Sequence, residues 1–441
     1  MSGDVVNTTT SISRYLNTLR VLFPSNDISV MELAARTLVK LGQLPGSKGV
    51  ESFEYDIKQA FEFISDERNE GKRHAAVIIL RELASANPTF FYQQVSSFFD
   101  HIFTAIRDTK PMIREGAGQA LRAALIVTSQ RESVKSGVKP TWYKQCYDEA
   151  IYCFGEVPIR EKGVTKDDRV HGALIVLNEI LRCSNAVWER KYTSLKRLHS
   201  EQPRHHDDTN MFLPRFKTPF SDHVSQFLSP SYYPYDYDTD SKFSRQHLSI
   251  NESATCRQII IDNYDEICTK VLEQRHLKTS YVQQSLLNIL PRLAAFNREE
   301  FVKKHLKNIV DYLLYTLKTR EKDRSIAFVT LGFIAVAVDK SIQQERYIDK
   351  IMEVVKASLP QKDVSLKKKT TMDPSVFMCI TLLGHAVKNG ISKDVKDILE
   401  PMFSTGLTPG LTICLRELAE NIPNVKREVS ELLLKMLSQV S

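Results

Sequence analysis

The chain has 441 residues, more than the roughly 250–300 at which a single hydrophobic core stops growing, so it forms several domains or an elongated repeat. It holds only 16 glycines and 17 prolines, a combined share below average usage that favours long helices. Its net charge of +7, spread over this length, excludes the clustered basic charge of a dedicated nucleic-acid-binding protein.

The sequence also carries signals about the cellular compartment. The N-terminus lacks the charged start and apolar core of a secretory signal, and its seven cysteines form no C-x-x-C pair. The longest apolar stretches, such as residues 331–338, fall well below the roughly 20 residues that cross a bilayer. The sequence therefore predicts a soluble intracellular protein with reduced, buried thiols and no transmembrane segment.

An apolar triplet spaced i, i+4, i+7 recurs along the chain, and this spacing places the three residues on one stripe of a helix. The eight copies are Ala34/Leu38/Leu41, Ala76/Leu80/Leu83, Ala117/Leu121/Ala124, Ala173/Leu177/Ile180, Leu286/Leu290/Leu293, Ala327/Leu331/Ile334, Cys379/Leu383/Ala386 and Leu411/Leu415/Leu418. Leu38, Leu80 and Leu121 lie about 42 residues apart, within the ~40–47 residue period of HEAT and armadillo arrays. The period predicts an all-α solenoid of about eight helical hairpins with a final unpaired helix.

Each triplet follows an amphipathic segment and a turn, as in residues 53–64 followed by 65–71. We expect Asp27, Asp66 and Asp108 to cap the second helix of their hairpins, because a carboxylate suits the positive end of a helix dipole.

Arg73, Arg114 and Arg324 each lie three residues before the small core residue of their copy. This recurrence predicts aspartate–arginine links between neighbouring repeats. The charged stretch 66–84 is accordingly interpreted as structural, because a single active site would not recur.

Insertions interrupt the period. Residues 201–253 hold five of the seventeen prolines and a tyrosine- and aspartate-rich run, which predicts a long flexible loop. Residues 186–200 are expected to extend the preceding helix as a charged stalk, and 360–374 to form a basic loop in the seventh hairpin. The predicted domains are 1–185 (repeats 1–4), 186–253 (stalk and insertion) and 254–441 (repeats 5–8 and a terminal helix).

The chain ends with residues 425–441, which place apolar side chains on one helix face with no partner helix after them. The apolar residues are Val425, Val429, Leu432, Leu433, Met436 and Leu437. Solenoids normally close with a polar-faced cap, so we expect the chain to be a fragment or truncated product of something larger.

Motifs for enzyme chemistry are weak. Gly116 and Gly118 match neither a P-loop nor a dinucleotide fingerprint, and the kinase and nucleophile-elbow motifs do not occur. The histidine- and aspartate-rich run 204–208, with His199 and His223 nearby, has metal-ligand side chains, but its loop setting favours a solvated polar segment. The sequence predicts no catalytic residue, cofactor or metal, and the contact residues for binding stay unassigned.

Two serine/threonine–proline pairs lie in the insertion. Thr218 precedes Pro219 and Ser229 precedes Pro230, the pattern that proline-directed kinases modify. Phosphorylation would add charge to a segment free to reorder. Thr218 and Ser229 are therefore candidate phosphorylation sites, a hypothesis that fails if phosphopeptide mapping finds neither modified in cells.

Several long blocks, matched in order, resemble the N-terminal HEAT region of the target of rapamycin (TOR) kinase family. They are residues 66–84, 88–108, 113–132, 167–182, 288–296 and 399–423. The likeness runs from about Arg14 to the end, excepting roughly 186–250. The triplet alone would fit any HEAT protein, whereas these blocks are specific.

The resemblance implies a scaffold within a giant serine/threonine kinase of the phosphatidylinositol-3-kinase-related class, acting in complex assembly and growth control. In that family the N-terminal solenoid helps dock the Raptor subunit, and its earliest repeats help bind the GTPase Rheb. The implied location is cytoplasmic, with lysosomal and other endomembrane surfaces reached through complex partners, and no direct nucleic-acid binding. Arg36, Lys40, Arg81 and Glu82 are candidate exposed positions on the partner-binding ridge.

This sequence departs from the family pattern at both ends. It is expected to begin after the first repeats, which puts GTPase contact in doubt. It is also expected to stop before the middle solenoid, the FAT region, the rapamycin-binding segment and the kinase domain. Two alternatives stay open, namely a free-standing HEAT adaptor of the transport-receptor type and an enzyme using the histidine-rich loop.

Overall fold

The computed structural model describes residues 2–25, 27–44, 49–132, 142–155, 163–200, 252–360 and 373–440. Within these ranges every regular element is a helix, which confirms the predicted all-α fold. The α-helices are α1 Ser2–Val21, α2 Ile28–Gly42, α3 Gly49–Ile64, α4 Glu70–Ala86, α5 Pro88–Gln93, α6 Val95–Ile106, α7 Pro111–Ser129, α8 Trp142–Phe154, α9 Lys166–Ser184, α10 Ala186–Ser200, α11 Ala254–Asp262, α12 Tyr264–Glu273, α13 Ser280–Phe296, α14 Arg298–Lys304, α15 Leu306–Thr319, α16 Arg324–Val338, α17 Tyr347–Ser358, α18 Ser375–Val387, α19 Ser392–Phe403, α20 Pro409–Asn421 and α21 Lys426–Val440.

The second helices of successive hairpins stack on one another. In a first compact unit, residues 2–186 and 252–285, helix α2 packs on α4, α4 on α7 and α7 on α9. In a second unit, residues 187–200 and 286–440, α16 packs on α18 and α18 on α20. Stacked helical hairpins of this kind are the organisation of a HEAT-type solenoid.

The predicted triplets form the core of this stack. Of their 24 residues all but one are buried, the exception being Leu41, which is partly exposed. Ala76 and Ala117 are fully buried on α4 and α7, two helices that pack on each other, and a small side chain lets packed helices approach closely. Each buried leucine or isoleucine contributes roughly 1.5–3 kcal/mol relative to exposure, so the recurrence stabilises every hairpin in turn.

The capping predictions are right for one of the three aspartates. Asp27 is the N-cap of α2 and accepts hydrogen bonds from the backbone N–H of Ser29 and Val30. Asp66 and Asp108 are not caps, because α4 and α7 begin two or three residues later than the pattern suggested. Asn69 caps α4, and Asp108 accepts from the N–H of Lys110 at 2.9 Å within the turn.

The predicted stalk differs from the structure. Helix α10 is separated from α9 at Asn185, and it buries Trp188, Glu189 and Tyr192 instead of standing as a charged extension. Glu189 pairs with Arg292 of α13, with 2.6 Å between Oε1 and Nε. Helix α11 packs on α8 and α9 within the first compact unit, and the domain bounds 1–185, 186–253 and 254–441 stay a prediction.

One helical run among the described residues, Glu321–Gln344, is long and apolar enough by length and composition to cross a membrane. This differs from the expectation that no apolar stretch reaches that length, because α16 continues into 3-10 turns at both ends. Of its most apolar window, 61% is buried inside the protein, as in the core helix of a globular fold. The run also contains Ala327, Leu331 and Ile334, the sixth triplet.

Several predicted features lie outside the described residues. They are Thr218, Ser229, the run 204–208, His223 and residues 361–372 of the basic loop.

Candidate interaction surface

Arginine–aspartate pairs connect neighbouring hairpins of the first unit, as the recurrence of arginines predicted. Arg73 of α4 pairs with Asp108 in the next hairpin, with 2.6 Å between Nε and Oδ2. Arg114 of α7 pairs with Asp168 of α9, with 2.7 Å between Nη1 and Oδ1. Arg324 does not follow the pattern, because its Nε donates to the carbonyl of Leu317 within the same hairpin at 3.0 Å.

Arg114 is the centre of a buried polar cluster. Its Nε donates to Nδ1 of His171 at 2.8 Å, and its guanidinium lies 4.9 Å from the ring centroid of Tyr281. The Tyr281 hydroxyl donates to Asp168 Oδ1 at 3.2 Å, so the cluster joins α7, α9 and α13. Asp168 also completes a capping box with Thr165 at the start of α9. These contacts support the structural interpretation of the charged stretches.

His171 is held neutral in this cluster. Burial and the adjacent Arg114 charge lower its pKa well below the ordinary value. A neutral ring can accept at Nδ1, which matches the hydrogen bond from Arg114. His171 therefore has a structural role, as the acceptor of a hydrogen bond from Arg114 inside the stack.

A second set of charged and polar residues runs across four successive second helices, and we call it the arginine ladder. Its members are Glu32, Arg36, Arg81, Glu82, Gln119, Arg122, Glu179 and Arg182, carried by α2, α4, α7 and α9. Arg81 Nη2 lies 3.1 Å from Glu32 Oε1 and 2.9 Å from Glu82 Oε1, and its Nη1 donates to Gln119.

The ladder continues from α7 to α9 through Glu179. Arg122 donates from Nε and Nη2 to the two oxygens of Glu179, at 2.7 and 2.9 Å. Arg182 approaches the same carboxylate to 3.8 Å. Bidentate pairing of this kind fixes the orientation of the guanidinium plane.

Of the four candidate residues of the partner-binding ridge, two lie at the surface and two are buried. Arg36 is partly exposed and Lys40 is exposed, as predicted. Arg81 and Glu82 were wrongly expected at the surface and are buried, because neighbouring second helices cover them from both sides.

Sequence reasoning missed Arg122, Glu179 and Arg182 as ladder members. A signal was present, since Arg81 and Arg122 each directly follow the middle leucine of their triplet.

Glu115 of α7 is a further buried charge-bearing group. Burial raises its pKa to about 8, while neighbouring Arg114 acts in the opposite direction. The carboxyl is therefore mostly protonated in the folded protein near neutral pH. In the unfolded chain the pKa of Glu115 has its ordinary value of 4.5. The contribution of Glu115 to the free energy of unfolding is therefore fully present below pH 4.5, and it is lost as the pH rises through 8, where the buried carboxyl ionises.

Glu115→Gln is therefore expected to remove this pH dependence. Above pH 8 the variant should be more stable than the wild type by ~1–3 kcal/mol, because no carboxylate has to ionise in the interior. Near pH 4.5 the two chains should match. Urea unfolding across this window checks the difference, and a constant offset at every pH would contradict it.

Apart from the ion pairs and hydrogen bonds between helices, the described residues hold few groups suited to metal binding or nucleophilic chemistry. No group of three or more histidine, cysteine or acidic side chains there could hold a metal ion. All seven cysteines are buried, and burial raises the pKa of Cys379 and Cys414 to about 12, so neither is a reactive thiolate.

Hairpins stacked through their second helices and linked by arginine pairs define a HEAT-type α-solenoid. No protein-family model matches the chain. Over 97% of its length it is 51% identical to the serine/threonine-protein kinase mTor of Drosophila melanogaster. It is 28% identical over 99% of its length to tor1 of Schizosaccharomyces pombe, and 25% identical over 97% to TOR2 of Saccharomyces cerevisiae. The chain therefore belongs to the target of rapamycin family, as part of its HEAT-repeat region.

The chain spans 18%, 15% and 14% of the lengths of these three relatives. Among solved structures, importin beta matches 98% of the chain and 57% of its own, with 12% identity and a TM-score of 0.47. A Kap121p mutant matches 96% of the chain and 39% of its own, with 13% identity and a TM-score of 0.45. The solenoid assignment follows from the chain's own hairpins.

Proposed function

We propose that the chain is a non-catalytic scaffold that docks protein subunits of a TOR complex in the cytoplasm and at endomembrane surfaces. The observation that carries the proposal is the 51% identity to the fly kinase over 97% of the chain. The parent activity, serine/threonine phosphorylation, is assigned to the remaining length of such a kinase. A Raptor-like subunit is the first proposed partner and a Rheb-type GTPase the second.

The adaptor alternative of the transport-receptor type is less well supported. The period alone permits it, but the sequence identity to the importin and karyopherin structures is 12–14%. The enzyme alternative depended on residues 204–208, which lie outside the described residues.

The scaffold proposal is tested by co-migration of the 441-residue chain with a purified Raptor-like subunit on size exclusion. On α2, Leu33 is 67% exposed and Lys40 is exposed at i+7 on the same helix face. We expect L33D/K40E to weaken binding at least about tenfold, because an apolar anchor and a charge are both reversed.

The matched control is L434D/K435E on α21, where Leu434 is 66% exposed. It should bind as the wild type does. Absence of co-migration by the wild-type chain would contradict the scaffold proposal, and equal weakening by both variants would contradict the assignment of the surface to α2.

A further inference from the structure

Helix α10 of the second unit has a buried face and an exposed face. Trp188, Tyr192 and Leu195 lie on one stripe of the helix, and each of them is exposed by 8% or less. Val187 and Arg190 lie on the other face and are exposed, Val187 by 65%. The helix therefore attaches to the second unit through one face only.

Two side chains of the second helices α13 and α16 hold the buried face of α10. Arg292 of α13 donates from Nε and Nη2 to the two oxygens of Glu189, at 2.6 and 3.1 Å. Its guanidinium lies 4.5 Å from the centroid of the Tyr192 ring, and that ring lies 4.2 Å, centroid to centroid, from the ring of Phe333 on α16. A carboxylate and an aromatic ring of α10 are thus recognised together, the first by charge and the second by stacking.

The ion pair makes these contacts selective. The side chains of Arg292 and Glu189 are both buried, with 4% and 1% exposed. An occupant without a carboxylate at this position would deprive a buried cation of its bidentate partner, which is strongly unfavourable. The site therefore discriminates by charge as well as by shape.

The backbone of α10 keeps a greater distance from its neighbours than the stacked helices keep from one another. A Cβ at Gly332 of α16 would lie 3.3 Å from the Cα of Cys379 on α18, whereas α10 makes no comparably extended backbone approach to any described helix. The attachment of α10 therefore depends on a few long side chains, as for a helix bound in a groove. Elements attached in this way open at a lower free energy than the core of a fold.

From these contacts we propose that α13 and α16 form a helix-binding site, which α10 occupies within the chain and which a helix of a partner protein with the same pattern fills in exchange. The pattern is a glutamate with one aromatic residue directly before it and another three residues after it, as in Trp188, Glu189 and Tyr192. The inference goes beyond the proposed scaffold function, because it concerns helices of the second unit and its test uses no TOR subunit.

The test is fluorescence anisotropy with a labelled 15-residue peptide of residues 186–200, which reproduces α10. In the 441-residue chain α10 competes with the peptide, so the apparent affinity falls with the fraction of sites that α10 occupies. The variant W188A/Y192A weakens this competition. We expect it to bind the peptide at least about tenfold more tightly than the wild-type chain does.

The ion pair provides the test of specificity. Adding R292Q to the W188A/Y192A chain should lower the peptide affinity at least about tenfold, because the glutamate of the peptide loses its bidentate partner. An E189Q peptide should lose a similar factor on the W188A/Y192A chain, since it removes the other member of the pair.

The matched control is V187A/R190A, which changes α10 on its exposed face only. This variant should bind the peptide no more tightly than the wild-type chain does. An R190Q/K191Q peptide should bind W188A/Y192A as the original peptide does, because attraction through basic residues is not part of the recognition. Loss of binding by that peptide would overturn the proposal.

Displacement has a readout of its own, since Trp188 is one of two tryptophans. In a W142F chain Trp188 is the only one left, and a W188F peptide adds none. A saturating amount of that peptide should shift the tryptophan emission to longer wavelength, because Trp188 moves from a buried site into water. Binding without this shift would place the peptide elsewhere on the chain and overturn the proposal.

Two further results would overturn it, namely no peptide binding by W188A/Y192A, or equally tight binding by V187A/R190A. If W188A/Y192A loses helix by circular dichroism, E189Q replaces it in the chain, where tighter binding than wild type supports the proposal and equal affinity overturns it. The scaffold proposal is judged separately, because its test uses the Raptor-like subunit and variants of Leu33 and Lys40.

Discussion

Arg114→Ala is expected to lower the free energy of unfolding of the first unit by about 3–5 kcal/mol. The substitution leaves Asp168 buried without its cation, with 7% of the Asp168 side chain exposed. It also removes the donor to His171 Nδ1 and the cation beside the Tyr281 ring. Removing one partner of a buried pair is far more destabilising than removing an exposed pair, because the remaining charge loses its hydration without compensation.

Urea unfolding followed by circular dichroism measures this loss. Arg427→Ala provides the control, since it breaks an exposed pair with Glu431 in which both side chains are more than half exposed. Exposed pairs contribute ~0–1 kcal/mol, so the control should barely move the midpoint. A loss in R114A as small as that of R427A would show that the cluster does not stabilise the stack.

A double-mutant cycle separates the pair from its surroundings. Asp168→Asn removes the charge while retaining an acceptor for the capping box with Thr165. Once Arg114 is gone, D168N should be much less destabilising than it is in the wild type, because an amide tolerates burial better than an unpaired carboxylate. Additive losses would contradict direct coupling between Arg114 and Asp168.

The regular part of this architecture could be read from the sequence. Leu38, Leu80 and Leu121 are buried because their spacing fixes them on one stripe of a helix. Helical periodicity is a local property, so one chain suffices to recognise it. The links Arg73–Asp108 and Arg114–Asp168 could be predicted for the same reason, since a contact between adjacent repeats recurs with the repeat.

Features that depend on where a helix starts could not be read so well. Asp66 and Asn69 both have side chains able to cap, and only the actual start of α4 at Glu70 selects Asn69. The stalk prediction failed for a related reason. Charged residues suggested an exposed α10, but Glu189 finds Arg292 a hundred residues away, and no local pattern reports such a partner.

The interaction surface was only partly predictable because helical amphipathicity assumes one face toward water. Helix α9 violates that assumption, since residues 168–181 are all buried and include His171 and Glu179. Second helices in a stack have neighbours on several sides, so Arg81 and Glu82 become interior groups. A charged residue in a solenoid repeat can therefore pair with a residue of the neighbouring repeat. The exposed fraction of its side chain decides whether it can also contact a partner protein.

Gly172→Ala is expected to destabilise the first unit by about 2 kcal/mol or more, although alanine favours helix by ~1 kcal/mol over glycine. A Cβ at Gly172 would lie 2.3 Å from the carbonyl oxygen of Ile106 and 3.0 Å from its Cγ2. The obstacle is backbone at the end of α6, which cannot rotate away as a side chain does, so α6 and α9 would have to separate.

Gly410→Ala is the matched control, because the nearest atom to its new Cβ is Phe377 Cδ2 at 3.8 Å, an ordinary contact. Thermal unfolding should show a lower midpoint for G172A and an unchanged or higher midpoint for G410A. An unchanged midpoint in G172A would mean that α6 and α9 do not approach through Gly172, and that the fourth hairpin is joined to the third mainly by the packing of α9 on α7 and by the ion pairs between them.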